Sequence, residues 1–344
     1  MSKDVKKTKK GKVGLIILIV VLAVLLLAAA ALFIVGKDLL GSIGRLDDSV
    51  PTLSQEEIDR FRAETDAADA NPDLPQLNAS DVDMSDEAEV IVADKNTVNI
   101  LVVGQDRRKG QGRQRSDCMI LCTVNKSNKT LTMTSFMRDL WVYIPSHAED
   151  RMNAAYVYGG FPLLDKTLTY NFGVTPDHNV EVDFEGFKAI IDKIGGVKIT
   201  LTAKEAKHIQ KVYALDVKEG ENLLSGKEAL VYARTRKIDS DFNRTNRQRT
   251  VIMAVIEKIR TLSVSEMYSL CKEILPLLTT DMTDAQILGY LVSYAPMLPD
   301  LQIVSQRIPM DGAYSSASIE GKSVLTMSSG QLQRNRQLLK DTLK

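Results

Sequence analysis

The sequence contains few of the residues that form disulfides or bind transition metals, with three cysteines and three histidines among 344 residues. Cys118 and Cys122 share a predicted strand, where residues four apart face the same side at a distance too long for an easy disulfide. No CxxC, HExxH, GxSxG or GxxxxGKS/T motif occurs. These absences exclude a disulfide-stapled scaffold, and they leave zinc enzymes, serine hydrolases and P-loop enzymes without their usual sequence features.

The chain also lacks a net charge, because 44 Lys and Arg residues balance 44 Asp and Glu residues. A protein that coats nucleic acid would be basic overall, so we expect no nucleic-acid partner. The charges are instead concentrated in particular segments. Residues 1–12 carry six lysines, residues 47–95 carry 15 acidic residues against three basic ones, and two later loops are rich in arginine.

The N-terminal segment predicts a membrane anchor. Residues 13–36, VGLIILIVVLAVLLLAAAALFIVG, contain no charged side chain, and about 20 apolar helical residues cross a bilayer. The lysines of residues 1–12 favour a cytoplasmic tail, which would place the rest of the chain outside the cell membrane. A removable signal peptide is one alternative, although the run is longer than the roughly 7–15 apolar residues of a signal peptide. A buried core helix is the other, and the length and lysine flank disfavour it.

The remaining chain divides into three predicted parts. Residues 37–96 form a mobile acidic spacer, residues 97–312 a folded domain, and residues 313–344 its C-terminal extension. Apolar runs typical of strands, such as TVNILVVG and CMILCTVN, alternate with helical segments such as VDFEGFKAIIDKIGG. This alternation predicts an α/β fold, a three-layer α/β/α sandwich with a central mixed sheet, whose ligands bind beyond the strand ends.

Two arginine-rich loops carry the predicted chemistry, GQDRRKGQGRQRSD at residues 104–117 and RTRKIDSDFNRTNRQR at residues 234–249. Guanidinium groups make paired hydrogen bonds to phosphate oxygens and stay charged at any relevant pH. Asp106 and Asp117 lie among these arginines, and Mg²⁺ prefers one or two carboxylates together with phosphate oxygens and water. The two loops together predict a pyrophosphate–Mg²⁺ site. The alternative for either loop alone is a solvated charged surface.

Seven ordered motifs between about residues 98 and 259 resemble the LytR-CpsA-Psr family, cell-wall glycopolymer ligases of mostly Gram-positive bacteria. The motifs are NILVVGQDRR, RSDCMIL, SFMRDLWVYIP, MNAAYVYGG, DFEGFKAIIDKIGGVKI, LSGKEALVYARTRK and DFNRTNRQR. The resemblance implies an α/β/α domain that transfers a glycopolymer from a polyprenyl-pyrophosphate carrier to peptidoglycan, forming a phosphodiester with the support of Mg²⁺. Teichoic acid, capsular polysaccharide and other wall polymers all stay open as the glycopolymer.

The resemblance, together with the charged loops, also implies residue roles. The predicted catalytic residues are Asp106, Arg107, Arg138, Arg236 and Arg244. The predicted substrate-binding residues are Arg115, Arg234, Asp241, Arg247 and Gln248. Asp106 and Asp117 are the predicted metal ligands. We further expect the apolar faces of NAAYVYGGFPLL and DFEGFKAIIDKI to line a groove for the membrane lipid, with plain core packing as the alternative.

Two other functions are compatible with these residues. A membrane-bound regulatory protein would sense wall intermediates without chemistry. A pyrophosphatase would use the same site with water as the acceptor. A ligase turns over the lipid-linked donor, whereas a regulatory protein does not. A ligase also requires peptidoglycan, whereas a pyrophosphatase does not.

Overall fold

The computed structural model describes residues 43–46, 53–54, 56–58, 71, 73–105, 113–236 and 238–344. The predicted cytoplasmic tail, the predicted transmembrane helix at 13–36 and part of the predicted spacer lie outside these residues, as do Asp106 and Arg107. Among the residues that are described, no helix has the length and apolar character needed to cross a membrane.

The described strands and helices alternate over most of the chain. The strands are β1 Gly44–Arg45, β2 Gln76–Leu77, β3 Thr97–Gln105, β4 Ser116–Asn125, β5 Thr130–Phe136, β6 Trp141–Tyr143, β7 Glu149–Arg151, β8 His178–Asp183, β9 Val197–Leu201, β10 Gly220–Leu224, β11 Thr279–Thr280, β12 Gln302–Ile308, β13 Ser315–Ile319 and β14 Lys322–Thr326. The α-helices are α1 Met152–Phe172, α2 Phe184–Lys193, α3 Ala203–Tyr213, α4 Gly226–Arg234, α5 Asp241–Arg260, α6 Val264–Ile274, α7 Asp284–Tyr294 and α8 Ser329–Leu343. Short 3-10 turns occupy Ala79–Asp81, Leu275–Leu277 and Ala295–Asp300.

A seven-stranded mixed sheet forms the centre, in the order β1-β11-β8-β3-β4-β5-β12. The β3 strand is parallel to β8 and antiparallel to β4, so the ends of β3 and β8 lie beside the start of β4. Its sequence, TVNILVVGQ, is apolar on both faces, as expected of a strand covered by helices on both sides. The mixed-sheet α/β fold predicted from the sequence is confirmed.

Separate apolar clusters cover the two faces of the sheet. On one face, Leu101 of β3 and Leu121 of β4 pack in a core that includes the buried residues of α1 and α8. On the other, Ile120 and Met133 pack against Ile252 of α5. A third cluster joins α2, α3, α4 and the antiparallel pair of β9 and β10 to α5. Alternate residues of the same strands therefore build two different cores, since successive strand side chains point to opposite faces.

Segments on both sides of the predicted domain pack onto it. In the part of the predicted spacer that is described, Met84 is buried and Ala88 donates its backbone N–H to Tyr170 O at 2.8 Å. The β2 strand pairs with β13, which belongs to the predicted C-terminal extension. Leu332 and Leu339 of α8 are buried in the main core. In the segment before residue 97, buried apolar residues such as Met84 and Ala88 are few and lie among acidic and polar neighbours. Composition alone therefore indicates a mobile segment there.

Candidate active site

A pocket of about 230 Å³ lies between the sheet and helices α2, α4 and α5, at the end of the sheet where β3 and β8 finish. Nine of its lining residues are apolar, glycine or cysteine: Val102, Gly104, Cys118, Val182, Phe184, Phe187, Leu230, Ala233 and Ile252. The six others are charged or polar: Asp117, Asp183, Arg234, Arg236, Arg244 and Gln248. The pocket therefore combines an apolar wall with a group of three guanidiniums.

The regular spacing of helix residues brings these side chains together. Arg244, Gln248 and Ile252 follow one another at intervals of four along α5, so they share one helix face and run from polar to apolar along the pocket. The N-terminus of α5 is capped by Ser240, whose side chain accepts a hydrogen bond from Asn243 N. This cap fixes where α5 begins and hence where Arg244 lies.

Three arginines and two carboxylates form a connected cluster beside the pocket. Arg244 contacts Asp241 with two nitrogens, at 2.9 and 3.0 Å, and its Nη1 lies 3.8 Å from Asp117 Oδ1. Arg138 donates from Nη1 to the same Asp117 oxygen at 3.1 Å. Arg236 Nε lies 3.2 Å from Asp241 Oδ1. Residues far apart in the sequence thus converge on two shared acids.

The electrostatics of this cluster favour an added anion. The pKa of Arg236 is lowered from its usual value by burial and then by the positive charges of Arg138 and Arg244, although Asp241 and Asp139 act in the opposite direction. Burial also raises the pKa of the Asp139 carboxyl, which lies 3.4 Å from Arg138 Nε. A diphosphate placed at the arginines would offset the charge that the cluster carries.

The sequence comparison identifies the family. A profile of the LytR_cpsA_psr family matches residues 60–341, most of the chain. The chain belongs to the LytR_cpsA_psr family. This result confirms the family resemblance seen in the motifs.

Named members of the LytR_cpsA_psr family are similar to this chain over part of their length. The chain is 37% identical over 178 residues to the polyisoprenyl-teichoic acid–peptidoglycan teichoic acid transferase TagT of Bacillus subtilis, covering 49% of this chain and 55% of TagT. It is 36% identical over 167 residues to the regulatory protein MsrR of Staphylococcus aureus, covering 48% of this chain and 50% of MsrR. The chain thus spans about half the length of each.

A solved structure of a LytR_cpsA_psr family protein has the same fold. It is the structure of YwtF (TagT) with bound octaprenyl pyrophosphate lipid. The TM-score is 0.58 at 26% identity, and the match covers 75% of this chain and 96% of that one.

Several predicted site residues of this family member line the pocket, and others do not. Arg234, Arg236, Arg244, Gln248 and Asp117 line it, and Arg138 and Asp241 contact these residues. The Arg234 guanidinium stacks over the Phe184 ring, 4.3 Å from its centroid. Gln248 Nε2 donates to Asp117 O at 3.4 Å. Arg115, by contrast, is half-buried beside the start of β4 and is not among the lining residues.

Arg247 lies away from the pocket, and its predicted role in substrate binding needs correction. Its Nε donates to Glu205 Oε1 at 2.7 Å, its Nη1 donates to Thr235 O at 2.7 Å, and its Nη2 bonds to Asp239. The guanidinium therefore ties α5 to α3 and to the loop before α5. Because Arg247 follows Arg244 by three residues, the sequence cannot separate a pocket arginine from a structural one by composition alone.

Of the two apolar segments expected to line a lipid groove, one contributes residues to the pocket wall. Phe184 and Phe187 of α2 lie on the pocket wall. Ala154, Tyr156 and Val157 of α1 instead lie in the core on the opposite face of the sheet. The expectation for α1 is wrong, because both segments are apolar and only the topology decides which face of the sheet each one covers.

Other residues of the pocket wall were not predicted from the sequence. Leu230 and Ala233 lie just before Arg234 on α4, and Ile252 lies two helical turns after Arg244 on α5. Helical periodicity could therefore have predicted that these residues share a face with the arginines. From the sequence, Cys118 was placed only on a predicted strand. Burial raises the pKa of its thiol to about 12, so Cys118 contributes a neutral surface to the pocket.

The predicted metal ligands are only partly described. Asp117 presents a partly exposed carboxylate on the pocket wall, and Asp106 follows Gln105, the last residue of β3, in the sequence. No group of three or more His, Cys, Asp or Glu residues suited to a metal occurs in the described part of the chain. Mg²⁺ needs no such group, since one or two carboxylates, phosphate oxygens and water can complete its coordination. The Asp117 carboxylate is therefore an oxygen donor of the kind that fits Mg²⁺ bound together with a diphosphate.

Proposed function

We propose that this protein is a membrane-anchored phosphotransferase that moves an anionic glycopolymer from a polyprenyl-pyrophosphate carrier to peptidoglycan. The observation that carries the proposal is the pocket itself. Its apolar wall includes Phe184, Phe187 and Ile252, while Arg236 and Arg244 provide cationic groups in the same pocket. An isoprenoid diphosphate has this combination of an apolar chain and a compact polyanion.

The similarity to TagT supports the choice of substrate. TagT is named as a polyisoprenyl-teichoic acid–peptidoglycan teichoic acid transferase. The solved structure of YwtF (TagT) contains bound octaprenyl pyrophosphate. A regulatory role without chemistry is the second candidate, because MsrR is named as a regulatory protein.

The proposed reaction exchanges one phosphorus–oxygen bond for another. A hydroxyl oxygen of peptidoglycan attacks the phosphorus that carries the glycan and forms the new phosphodiester. The bond from that phosphorus to the bridging oxygen breaks, polyprenyl phosphate leaves with the bonding electrons, and the hydroxyl proton passes to a base. Arg138, Arg236 and Arg244 would stabilise the charge that grows on the transferred and leaving phosphates.

Asp117, with Asp106, would hold Mg²⁺ at the diphosphate. The ion would neutralise phosphate charge when bound. The arginines would bind the phosphate oxygens directly. Their contacts with Asp117 and Asp241 orient the guanidinium groups before the substrate binds.

We further propose that residues 13–36 anchor the chain, with residues 1–12 in the cytoplasm and the domain outside. The apolar run and its lysine flank support this orientation. Protease added to wall-stripped intact cells should remove the domain and spare the N-terminal tail. Full protection of the domain would contradict the orientation.

Product analysis tests the reaction. The full chain in vesicles is incubated with a polyprenyl-pyrophosphate-linked glycan and Mg²⁺, with and without peptidoglycan. A transferase gives a phosphodiester-linked glycan only when peptidoglycan is present. Release of free glycan phosphate without peptidoglycan would instead identify a pyrophosphatase. Donor binding without turnover would favour the regulatory role.

A further inference from the structure

Residues 43–46 form an edge of the central sheet. Gly44 N donates to Leu278 O at 3.1 Å, and Leu46 N donates to Thr280 O at 3.1 Å. These bonds make β1 a strand parallel to β11. A segment close to the proposed membrane anchor is therefore part of the folded domain.

Side chains hold this short strand in place. Ile43 is 7% exposed and packs in a small cluster with Ile287 of α7 and Cys271 of α6. Arg45 donates from Nη1 to Met282 O at 2.7 Å and forms an ion pair with Asp284. Gly44 lies close to β11, because a Cβ added at this position by a substitution would be 2.9 Å from Thr279 Oγ1. The strand thus combines backbone bonds, apolar burial and close approach to its neighbour.

The strand pairing fixes the end of the sheet at which the preceding chain arrives. Gly44 pairs with Thr279, which pairs with Glu181 of β8 in antiparallel register. The residue before Gly44 therefore points towards Asp183, the last residue of β8 and part of the pocket lining. Two strand spacings separate β1 from β8, or about 10 Å. The chain enters the domain beside the pocket end of the sheet.

The sequence limits how far this entry point lies from the proposed anchor. The apolar run ends at residue 36, and seven residue steps join it to Ile43. A polypeptide spans at most roughly 3.3–3.6 Å per residue, so seven steps reach about 25 Å at most. The spacer after residue 46 cannot lengthen this connection while β1 stays paired.

We propose that the β1 strand acts as a short tether that holds the pocket end of the sheet at the outer surface of the membrane. The partner of this end of the domain is the lipid surface that contains the polyprenyl carrier. The proposal rests on the membrane anchor in the proposed function, and it adds an orientation: the pocket end faces the bilayer and the opposite end of the sheet faces away.

Fluorescence quenching in vesicles measures this orientation. Two variants of the full chain each carry one p-azidophenylalanine coupled to a fluorophore. In one variant it replaces exposed Asn243 beside the pocket, and in the other it replaces exposed Lys126 at the opposite end of β4. The ten residues of β4 separate the two ends by roughly 30 Å. Headgroup-labelled phosphatidylglycerol serves as the quencher. The tether predicts several-fold stronger quenching at position 243, whereas equal quenching or stronger quenching at position 126 would overturn it.

Two matched insertions test whether β1 causes the orientation. An insert of about 24 Gly and Ser residues between Gly41 and Ser42 adds roughly 27 Å of mean span before the strand. The same insert between Asp47 and Asp48 lies after the strand. The first should remove the difference in quenching between the two sites, and the second should preserve it. An unchanged difference after the first insertion, or an equal loss after the second, would contradict the tether.

These measurements do not require turnover. If quenching shows the expected orientation while no glycan is transferred, the tether holds and the proposed reaction fails. If transfer occurs with equal quenching at both sites, the reaction holds and the tether fails.

Discussion

Replacing Arg236 with alanine removes a cation from the pocket with little expected damage to the fold. The Arg236 side chain is 43% exposed and contacts Asp241 through Nε at 3.2 Å. Asp241 keeps two contacts to the buried Arg244, at 2.9 and 3.0 Å, after the substitution. Arg244 is the poorer choice, because it is only 3% exposed and its removal would leave Asp241 with less compensation.

The size of the effect follows from these contacts. A half-exposed ion pair contributes about 0–1 kcal/mol to stability, so Arg236→Ala should change the melting temperature little. A hydrogen bond to a charged group contributes about 1.5–3 kcal/mol, and each 1.4 kcal/mol corresponds to a factor of ten. If Arg236 binds the diphosphate, transfer should fall by roughly tenfold to a hundredfold.

The assay compares transfer rate and melting temperature for the wild type, Arg236→Ala and Arg334→Ala. Arg334 is an exposed arginine on α8 that bonds to Gly312 O at 3.1 Å and is absent from the pocket lining, so it controls for loss of one positive charge. We expect a reduced rate only for Arg236→Ala. Unchanged transfer by Arg236→Ala with an intact thermal transition would refute the proposed role of Arg236.

Three further predictions concern the metal, acid stability and thiol reactivity. Asp117→Asn should raise the Mg²⁺ concentration needed for half-maximal transfer, with partial recovery in excess Mg²⁺; a lower melting temperature at an unchanged midpoint would show that Asp117 only supports the fold. Burial acts to raise the pKa of Glu205, but hydrogen bonds from Arg247 and Thr202 lower it overall, so Glu205 stabilises the fold above its usual pKa and loses this effect as the pH falls. Glu205→Gln should therefore reduce the melting temperature more at pH 7 than at pH 3, and an equal reduction at both would contradict this linkage. Because burial raises the pKa of Cys118 to about 12, its thiol should react more slowly with iodoacetamide at pH 8 in the folded protein than after unfolding, and equal rates in the two states would argue against the raised pKa.

The sequence predicted the features that depend on local pattern. Apolar runs identified β3 and β4, and the periodicity of Phe184 and Phe187 identified α2. The density of arginine after residue 233 indicated an anion site, and the structure brings Arg236 and Arg244 to one pocket. These features were predictable because strand alternation, helix period and side-chain charge are properties of short segments.

Features that depend on topology were not predictable in this way. Arg244 and Arg247 are three residues apart in an arginine-rich stretch, yet one faces the pocket and the other bonds to Glu205. Arg249 is buried further along, where it donates to Ser135 and Ser305 at 2.5 Å. Which helix face meets the sheet depends on contacts between distant segments. The same reason explains why the short β1 strand was included in a predicted spacer.

The most direct test of the account is the affinity of the pocket for a lipid diphosphate. Binding of radiolabelled polyprenyl diphosphate to the full chain should be compared with that of polyprenyl monophosphate of the same chain length, in the wild type and in Arg236→Ala. If the arginines bind the second phosphate, the wild type should prefer the diphosphate by about tenfold or more, and Arg236→Ala should lose most of that preference. Equal affinity of the wild type for the two lipids would contradict the central claim that this apolar pocket and its arginines recognise a lipid-linked diphosphate.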